Sequence, residues 1–297
     1  MKKSIHKIIS IYLLLTFWSI TLACAQTTIQ VVTKTLLGEE KWTEGLKLEL
    51  NSENAEIHCS TKSGNTISYE IQLIAKHASK ELAESDLNKM KWITGRQGKT
   101  LFMRNYIELT PGDVRLESML KVIYHIKIPE KCPLTINNYF GEITVKNTGN
   151  ALTIKSEFAT VTLNNIKGNI EIESKFGDIT ATSLHGNIQI LSNRSNIKLS
   201  EISGLIDIEA MVAEISLDNI HNLNRLNITA EKSETRLSCG NNYRFVLGLK
   251  KVDFEKPDWM KMDTPQQNDI AQKANFNALP DHPIIEIKQT VGTLEIK

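Results

Sequence analysis

The stretch "YFGEITVKNTGNALTIKSEFATVTLNNIKGNIEIESKFGDITATSLHG", residues 139–186, repeats one pattern every 18 residues. Phe140, Phe158 and Phe176 are each followed by a small residue and then by an alternation of apolar and polar residues. Alternation with a period of two places the apolar side chains on one face of a β-strand. A fixed short period over consecutive copies predicts structural units that stack on one another.

Five consecutive copies follow this pattern from Leu134 onward without a gap. Two pairs of aliphatic positions recur, first Leu134/Ile136, Leu152/Ile154, Ile170/Ile172, Ile188/Ile190 and Ile206/Ile208, then Ile143/Val145, Val161/Leu163, Ile179/Ala181, Ile197/Leu199 and Ile215/Leu217. Small residues stand two positions before the second pair, at Gly141, Ala159, Gly177, Ser195 and Ala213, and Gly closes three copies, at Gly168, Gly186 and Gly204. We therefore predict two short strands per copy, joined by tight corners that need small residues.

These copies predict an all-β fold: a single-stranded β-solenoid (β-helix-like) with 18-residue coils, one helix and a long irregular excursion. Equivalent residues of stacked coils are expected at the inter-strand spacing of about 4.8 Å, with aliphatic ladders inside. The three Phe residues should form a short stack that ends where Arg194 takes their position. A left-handed hexapeptide helix is excluded because its third apolar position is polar here, at Lys146, Asn164, Thr182, Ser200 and Asp218.

The same pattern appears near both ends of the chain, at 48–64 and 285–296, and two stretches interrupt it. We predict a signal peptide at 1–25, a solenoid start with a strand–helix–strand insertion at 26–130, the regular solenoid at 131–238, an irregular capping excursion at 239–283 and closing coil strands at 284–297. In the insertion we expect strands at Ile67–Ala75, Leu101–Leu109 and Lys121–Ile128, and a helix at about Ser79–Trp92 with Leu82, Leu87 and Met90 toward one side. A long irregular segment usually covers an edge or carries function, and solenoid ends need covering.

The N-terminus has the composition of an export signal. Lys2, Lys3 and Lys7 precede an apolar stretch at residues 8–22, which ends in "TLACAQ". Either cleavage follows Ala25, or Cys24 is lipidated after cleavage, although Thr21 stands where a lipobox usually has an aliphatic residue. We expect export to the periplasm, to the outer membrane if the chain is a lipoprotein, or to the cell surface. No membrane span is expected after residue 25.

Charge and cysteine content argue against a nucleic-acid partner and against a zinc site. Residues 1–25 hold three Lys and no acid, so the rest of the chain has 32 basic and 34 acidic side chains. That balance disfavours nucleic acid as a partner. Cys59, Cys132 and Cys239 remain after export, none in a CxxC pair, so a zinc site has no support. Cys59 falls at an inward position, where a small apolar role is expected.

The sequence predicts no catalytic, cofactor-binding or metal-binding residues. GxSxG, HExxH, GxGxxG, Walker and EF-hand motifs are all missing. The histidines are scattered, with His58 and His125 in strand patterns and His185 at a turn. Two polar outer faces are predicted, one carrying Thr135, Asn137, Thr153, Lys155, Glu171, Glu173, Gln189, Leu191, Asp207 and Glu209, the other Thr144, Lys146, Thr162, Asn164, Thr180, Thr182, Lys198, Ser200, Ser216 and Asp218. Both are typical of solvated strand faces, because Thr is a good strand residue and charge discourages edge pairing.

An enzymatic alternative depends on acidic residues. Glu171 and Asp207 are two coils apart, with Gln189 between them, which is a poor arrangement for paired carboxylate chemistry. The excursion offers the one candidate wall of a cleft, with Asp253, Glu255, Asp258, Asp263 and Asp269. A polysaccharide lyase or hydrolase on a β-helix scaffold therefore stays open as a second hypothesis, and a structural or signalling envelope component as a third.

The segment "YHIKIPEKCPLTINNYFGEITVKN", residues 124–147, resembles the bacterial "putative adhesin" domain of unknown function. The resemblance covers about residues 46–297 and is strongest over 120–238. It implies an exported, adhesin-like β-solenoid of the cell envelope that binds an envelope or extracellular glycan or protein, and it carries over no catalytic residues. The excursion at 239–283 and the loss of the Phe stack at Arg194 depart from that pattern.

Overall fold

A computed structural model describes residues 28–112, 115–220, 222–268, 271–276 and 281–297, and only the backbone of residues 262–268 and 271–274. The predicted signal peptide at 1–25, with both processing alternatives, lies outside the described residues. Sixteen strands and one helix are described, and all the strands join one sheet. The fold is all-β and solenoid-like, as the sequence predicts.

The elements follow one another along the chain as β1 (Gln30–Lys41), β2 (Lys47–Lys62), β3 (Thr66–His77), α1 (Lys80–Lys89), β4 (Met90–Gln97), β5 (Thr100–Ile107), β6 (Met119–Pro129), β7 (Leu134–Lys146), β8 (Leu152–Lys175), β9 (Ile179–Asn193), β10 (Ile197–Met211), β11 (Glu214–Asp218), β12 (Leu223–Leu237), β13 (Arg244–Glu255), β14 (Met262–Asn268), β15 (Ala271–Phe276) and β16 (Ile284–Ile296).

Parallel pairing in the central stack joins residues that are 18 apart. Leu134 pairs with Leu152, Ile170 with Ile188, and Ile188 with Ile206. The second aliphatic pair follows the same register, with Ile197 opposite both Ile179 and Ile215. The aliphatic positions of both pairs are at most 2 % exposed, so the predicted inward ladders form the core.

Each coil has three sides, whereas the sequence pattern predicts two. A further buried ladder follows the second strand, formed by Ile166, Leu184, Ile202 and Ile220. Its members pair in the same 18-residue register, because Leu184 lies opposite both Ile166 and Ile202. The ladder contributes one apolar residue per coil with polar neighbours on either side, so it has no period-two signal of its own.

Two of the three corners are built on left-handed backbone at residues that are not glycine. One corner has Phe140, Phe158, Phe176, Arg194 and Val212 at φ of +54° to +65°, and another has Asn147, Asn165, Ser183, Glu201 and Asn219 at +51° to +61°. Small residues after the first corner are needed for a different reason: a Cβ on Gly177 would lie 2.1 Å from the carbonyl oxygen of Ala159 in the adjacent coil. The third corner uses Gly, as the sequence predicts, with Gly186 at φ +130°.

The C-terminal coils depart from chain order. β12 pairs with β10 in a register of 20 residues, with Leu226 opposite Ile206. The last strand, β16, then lies between β12 and β13, parallel to both. In the described sheet, β13 does not pair with β12, and β16 occupies the position between them. The last strand in chain order therefore lies inside the stack and not at its end.

The excursion at 239–283 is more regular than predicted. Its first part, Arg244–Glu255, is a parallel coil strand on β16, with Phe245 opposite Ile285. β15 pairs antiparallel with β13, and β14 with β15. Alternating Phe245, Leu247 and Leu249 are buried, and this short alternation without a repeat partner was the signal that could have identified the strand.

At the N-terminal end, β2 lies between β6 and β7. β5 covers the first half of β2 and β6 covers the second half, so two separate strands complete one coil. β3 and then β1 add antiparallel to β6, and β4 adds antiparallel to β5. Antiparallel strands thus replace the parallel ladder at this end of the solenoid.

The helix is shorter than predicted. α1 begins after the N-cap Ser79, whose hydroxyl accepts a hydrogen bond from the Leu82 N–H at 3.2 Å, and it ends at Lys89. Met90 starts β4, because this segment pairs with β5 as a hairpin. Ala83, Asp86 and Leu87 face the core, whereas Leu82 is 39 % exposed, so the prediction that Leu82 shares one side of the helix with Leu87 is wrong.

Candidate binding groove and aromatic ridge

A polar groove of about 490 Å³ crosses the outer face of the first coils. It is lined by Asn51, Ser52, Glu53, Arg104, Asn105, Asn137, Asn138, Tyr139, Lys155, Ser156, Glu157, Glu173 and Lys175. Strands β2, β5, β7 and β8 supply these residues, because the parallel register brings the same strand position of each coil side by side. Three of them, Asn137, Lys155 and Glu173, belong to the outer face that the sequence predicts.

The floor of the groove is an amide ladder. The Asn137 amide donates a hydrogen bond to Asn51 Oδ1 at 2.7 Å, and Asn51 in turn donates to Glu49 at 3.2 Å. Asn51 pairs with Arg104 on its other side, and that guanidinium is exposed. These planar groups present donors and acceptors outward at fixed positions, which is what hydroxyl-rich ligands need.

Buried polar contacts fix the wall beside Arg104. Asn105 donates to the Glu53 carbonyl at 3.0 Å and accepts from the Tyr124 hydroxyl at 3.0 Å. Burial raises the pKa of Tyr124, so the phenol remains a neutral donor. Because Asn105 is tied on both sides, β5 is held against β2 and Arg104 is held at the rim.

Charges in the groove are balanced. Arg104, Lys155 and Lys175 stand against Glu53, Glu157 and Glu173. Glu173 lies 3.7 Å from Lys155 and 3.5 Å from Lys175, so these charges neutralise one another locally. A groove with this composition has no strong preference for an anionic or a cationic ligand.

An aromatic ridge runs along the corner beside the groove. Phe140 and Phe158 stack at 5.0 Å between ring centroids, and Phe158 and Phe176 stack at 4.8 Å. Tyr139 packs edge-on against Phe140 and Phe158, and the Arg194 guanidinium lies 5.7 Å from the Phe176 centroid. The four aromatic side chains are 39–46 % exposed. The predicted Phe stack is therefore an outward ridge that ends on Arg194, with its ring edges facing solvent.

Polar side chains on the inside hold this corner in place. Ser156 donates to Ser174 at 3.1 Å, Ser174 donates to the Gly177 carbonyl at 2.8 Å, and Ser192 donates to the Ser195 carbonyl at 2.8 Å. In the first coil, Asn138 donates to the Phe140 carbonyl at 3.1 Å. Left-handed corners interrupt the ladder bonds, so buried side chains must satisfy the freed carbonyl groups.

The other predicted positions are not brought together into a site. Glu171 and Asp207 flank Gln189 on successive strands, as expected. Asp253 and Glu255 are exposed on β13 and Asp258 is exposed beyond it, while the Asp263 side chain and Asp269 lie outside the described residues. His58 and His125 stack at 5.0 Å on strands, but His185 lies in β9, not at a turn, and contacts Ser203 at 2.8 Å.

The three described cysteines are free thiols. Cys59 and Cys132 are buried, and burial raises the pKa of the Cys132 thiol to about 11 and that of Cys239 to about 12. Thiols of this kind are poor nucleophiles at neutral pH. Within the described ranges, no cluster of three or more His, Cys, Asp or Glu could hold a metal ion, and no helix is long and apolar enough to cross a membrane.

No family profile matches the chain, and no curated protein matches it. Among solved structures, one described as a "putative adhesin" from Bacteroides fragilis aligns at 11% identity and a TM-score of 0.45, covering 90% of this chain and 97% of that one. A "putative cell adhesion protein" from Clostridium sporogenes aligns at 12% and 0.26, covering 91% and 99%. A "putative lipid binding protein" from Parabacteroides distasonis aligns at 11% and 0.35, covering 89% and 97%. Identities and TM-scores are low, so neither fold nor function of this chain follows from them.

Proposed function

We propose that this protein is an exported, non-enzymatic, adhesin-like component of the cell envelope that binds an uncharged envelope or extracellular polysaccharide in the groove of β2, β5, β7 and β8. The observation that carries the proposal is the juxtaposition of an outward amide ladder, Asn51–Asn137, with the exposed ring of Tyr139. Planar amides match sugar hydroxyls, and an exposed aromatic side chain supplies apolar contact at its edge of the groove.

The shape and charge of the groove support a polymer over a small metabolite. The groove is open and extends across four neighbouring strands, so a chain could continue along the coils beyond it. Its three basic and three acidic side chains leave no net field, which supports a neutral polymer. The ridge of Phe140, Phe158 and Phe176 borders the groove with its ring edges outward, so it can shield one side of a bound chain from water.

A glycan array and a polysaccharide-turnover screen, run side by side on the purified protein, test the proposal. We expect binding of one class of neutral polysaccharide without turnover. Tyr139→Ala and Arg104→Ala should each weaken that binding by roughly tenfold or more, because Tyr and Arg are among the residue types that contribute most binding energy per side chain. Lys198→Ala and Thr180→Ala, on the other outer face, are matched controls that should bind like the parent protein.

Three results would contradict the proposal. Turnover that is abolished by changing an acid within 253–269 would make the excursion the wall of an active site. If the control variants lose as much binding as the groove variants, the ligand-binding site would be assigned to the other outer face. Silence against all glycans, together with capture of a defined protein partner, would replace the polysaccharide with a protein ligand.

A further inference from the structure

β1 is the last strand on the N-terminal side of the sheet, and among the described strands it pairs only with β3. It spans 12 residues without a proline, and its Val31 and Leu37 side chains are 58 % and 76 % exposed. An edge strand of this length presents a row of unpaired N–H and C=O groups to another strand. Large apolar side chains standing in water beside that row are unusual for an edge that stays free.

We propose that two copies of this chain associate through antiparallel pairing of β1 with β1 of the second copy, in the register centred on Leu37. Two identical strands that continue one sheet are related by a two-fold axis perpendicular to the sheet. Odd-numbered residues of one copy therefore lie opposite odd-numbered residues of the other, and even-numbered residues opposite even-numbered ones. Leu37 then lies opposite its own copy, and the overlap runs over residues 33–41.

Charge complementarity selects this register. With Leu37 on the axis, Lys34 faces Glu40 of the second copy, and the same pair forms twice by symmetry. Registers centred on Leu36 or Thr35 place Lys34 opposite Gly38 or Leu36, without a partner charge. Opposite charges directly across an antiparallel pair stabilise it, and mismatched ones disfavour the alternatives.

The positions of these charges in the monomer support the same pairing. Lys34 lies opposite Leu73 and Glu40 opposite Ile67, so both belong to the face of β1 that continues the core. Neither has an ion-pair partner among the residues that the structure describes. A charge on the inner face normally prevents edge pairing, but a second copy supplies the missing counter-charge for each of them.

Gly38 provides the space that the register needs. A Cβ at Gly38 would lie 2.2 Å from the Tyr69 hydroxyl, so the Tyr69 ring occupies the side-chain position beside Glu40. In the proposed pairing Gly38 faces Leu36 of the second copy. Leu36 already packs against the core, and a facing residue without a side chain does not compete with it.

Sedimentation velocity on the full chain, purified as the host processes it, tests the pairing over a concentration series. We expect a reversible dimer. Lys34→Glu and Glu40→Lys should each weaken dimerisation by roughly tenfold or more, because each turns two attractive pairs into repulsive ones. The double variant restores opposite charges in the same register and should return the dissociation constant to near that of the parent.

A cysteine pair tests the register directly. In a Cys239→Ser background, Leu37→Cys should form an intermolecular disulfide under mild oxidation, since directly opposite Cβ atoms are about 4.5–5.5 Å apart. Thr33→Cys, on the same face but opposite Lys41, should not. A protein that stays monomeric, a dimer indifferent to Lys34→Glu, or equal cross-linking at both cysteines would each overturn the proposal.

Discussion

Phe158 and Phe176 stack 4.8 Å apart with their ring planes 7° from parallel, and both residues have left-handed backbone, at φ +54° and +57°. Left-handed conformation costs a residue with a Cβ roughly 1–2 kcal/mol. An aromatic pair returns about 0.5–1.5 kcal/mol, which offsets much of that strain. The ridge is therefore one reason why a bulky residue is tolerated where the chain turns.

Substitutions at Phe158 should separate strain from stacking. Phe158→Ala keeps the strained backbone and loses both stacking partners, so we expect a loss of about 1–2 kcal/mol in the free energy of unfolding. Phe158→Asn should lose less than Phe158→Ala by several tenths of a kcal/mol, because Asn enters the left-handed region more easily. Urea denaturation measures both. If the two variants are equally unstable, backbone strain is not what the stack offsets.

The Gly ladder at the third corner should tolerate no side chain. A Cβ at Gly186 would lie 2.2 Å from the Gly168 carbonyl oxygen, and φ is +130°. We expect Gly186→Ala to cost about 3 kcal/mol or more, from the backbone strain and the shift of the adjacent coil together. Gly64→Ala is the matched control, since Gly64 also has a positive φ but nothing lies within 4 Å of its added Cβ. Its cost should be about 1–2 kcal/mol, from conformation alone. Comparable losses at both positions would mean that close approach between coils is not limiting.

The buried serine hydroxyls inside the first corner should contribute to the free energy of unfolding. Ser174 is fully buried, and its hydroxyl donates to the Gly177 carbonyl at 2.8 Å. Ser174→Ala leaves that acceptor without its partner, so we expect a loss of about 1–3 kcal/mol in unfolding free energy. Ser200→Ala, which removes a half-buried hydroxyl that contacts Thr182 at 3.2 Å, should cost less than about 1 kcal/mol. A larger effect at Ser200 would show that the corner carbonyl is satisfied in another way.

The sequence predicts the central stack well, because its signal is local and repeated. Leu134, Leu152 and Ile170 carry the same period-two pattern at equal spacing, which determines both strand identity and register. The ladder that contains Leu184 could not be predicted in this way, because one apolar residue per coil between polar neighbours gives no period-two alternation. The left-handed conformation of Phe158 also has no sequence signal, as Phe is not a residue that favours it.

The order of strands could not be predicted because it depends on contacts between distant residues. β16 enters between β12 and β13, and β2 lies between β6 and β7, although chain order indicates neither. The groove also depends on contacts between residues that are distant in sequence. Arg104 belongs to the insertion, and only the pairing of β5 with β2 brings it beside Asn51. Outer-face positions such as Asn137 and Lys155 were predictable, whereas the rim that completes the groove was not.

Asp86 should make the stability of the N-terminal region depend on pH. Its Oδ2 accepts hydrogen bonds from the backbone N–H groups of Ser118 at 2.9 Å and Glu117 at 3.1 Å, which ties the segment before β6 to α1. Burial alone would raise the pKa of Asp86, but the hydrogen bonds from Ser118 and Glu117 outweigh it and the pKa is lowered. A lowered pKa in the folded state favours the charged form there, so the contribution is present above the unfolded pKa of about 3.9 and is lost as the pH falls through the folded value.

Asp86→Asn should therefore destabilise the protein in a pH-dependent way. At pH 7 we expect the variant to lose about 1.5–3 kcal/mol, the range for hydrogen bonds to a charged group. The difference from the parent should shrink steadily below about pH 4, because the carboxyl group of the unfolded parent binds a proton there that the folded parent binds only at lower pH. Glu84→Gln on the same helix is the control, because Glu84 is exposed and lies 3.6 Å from Lys80 in a surface pair. Surface pairs of this kind contribute about 0.3–0.5 kcal/mol, so that variant should show little change at any pH. Urea denaturation midpoints of the three proteins between pH 3 and pH 7 decide the matter, and a constant gap between Asp86→Asn and the parent would contradict the assignment.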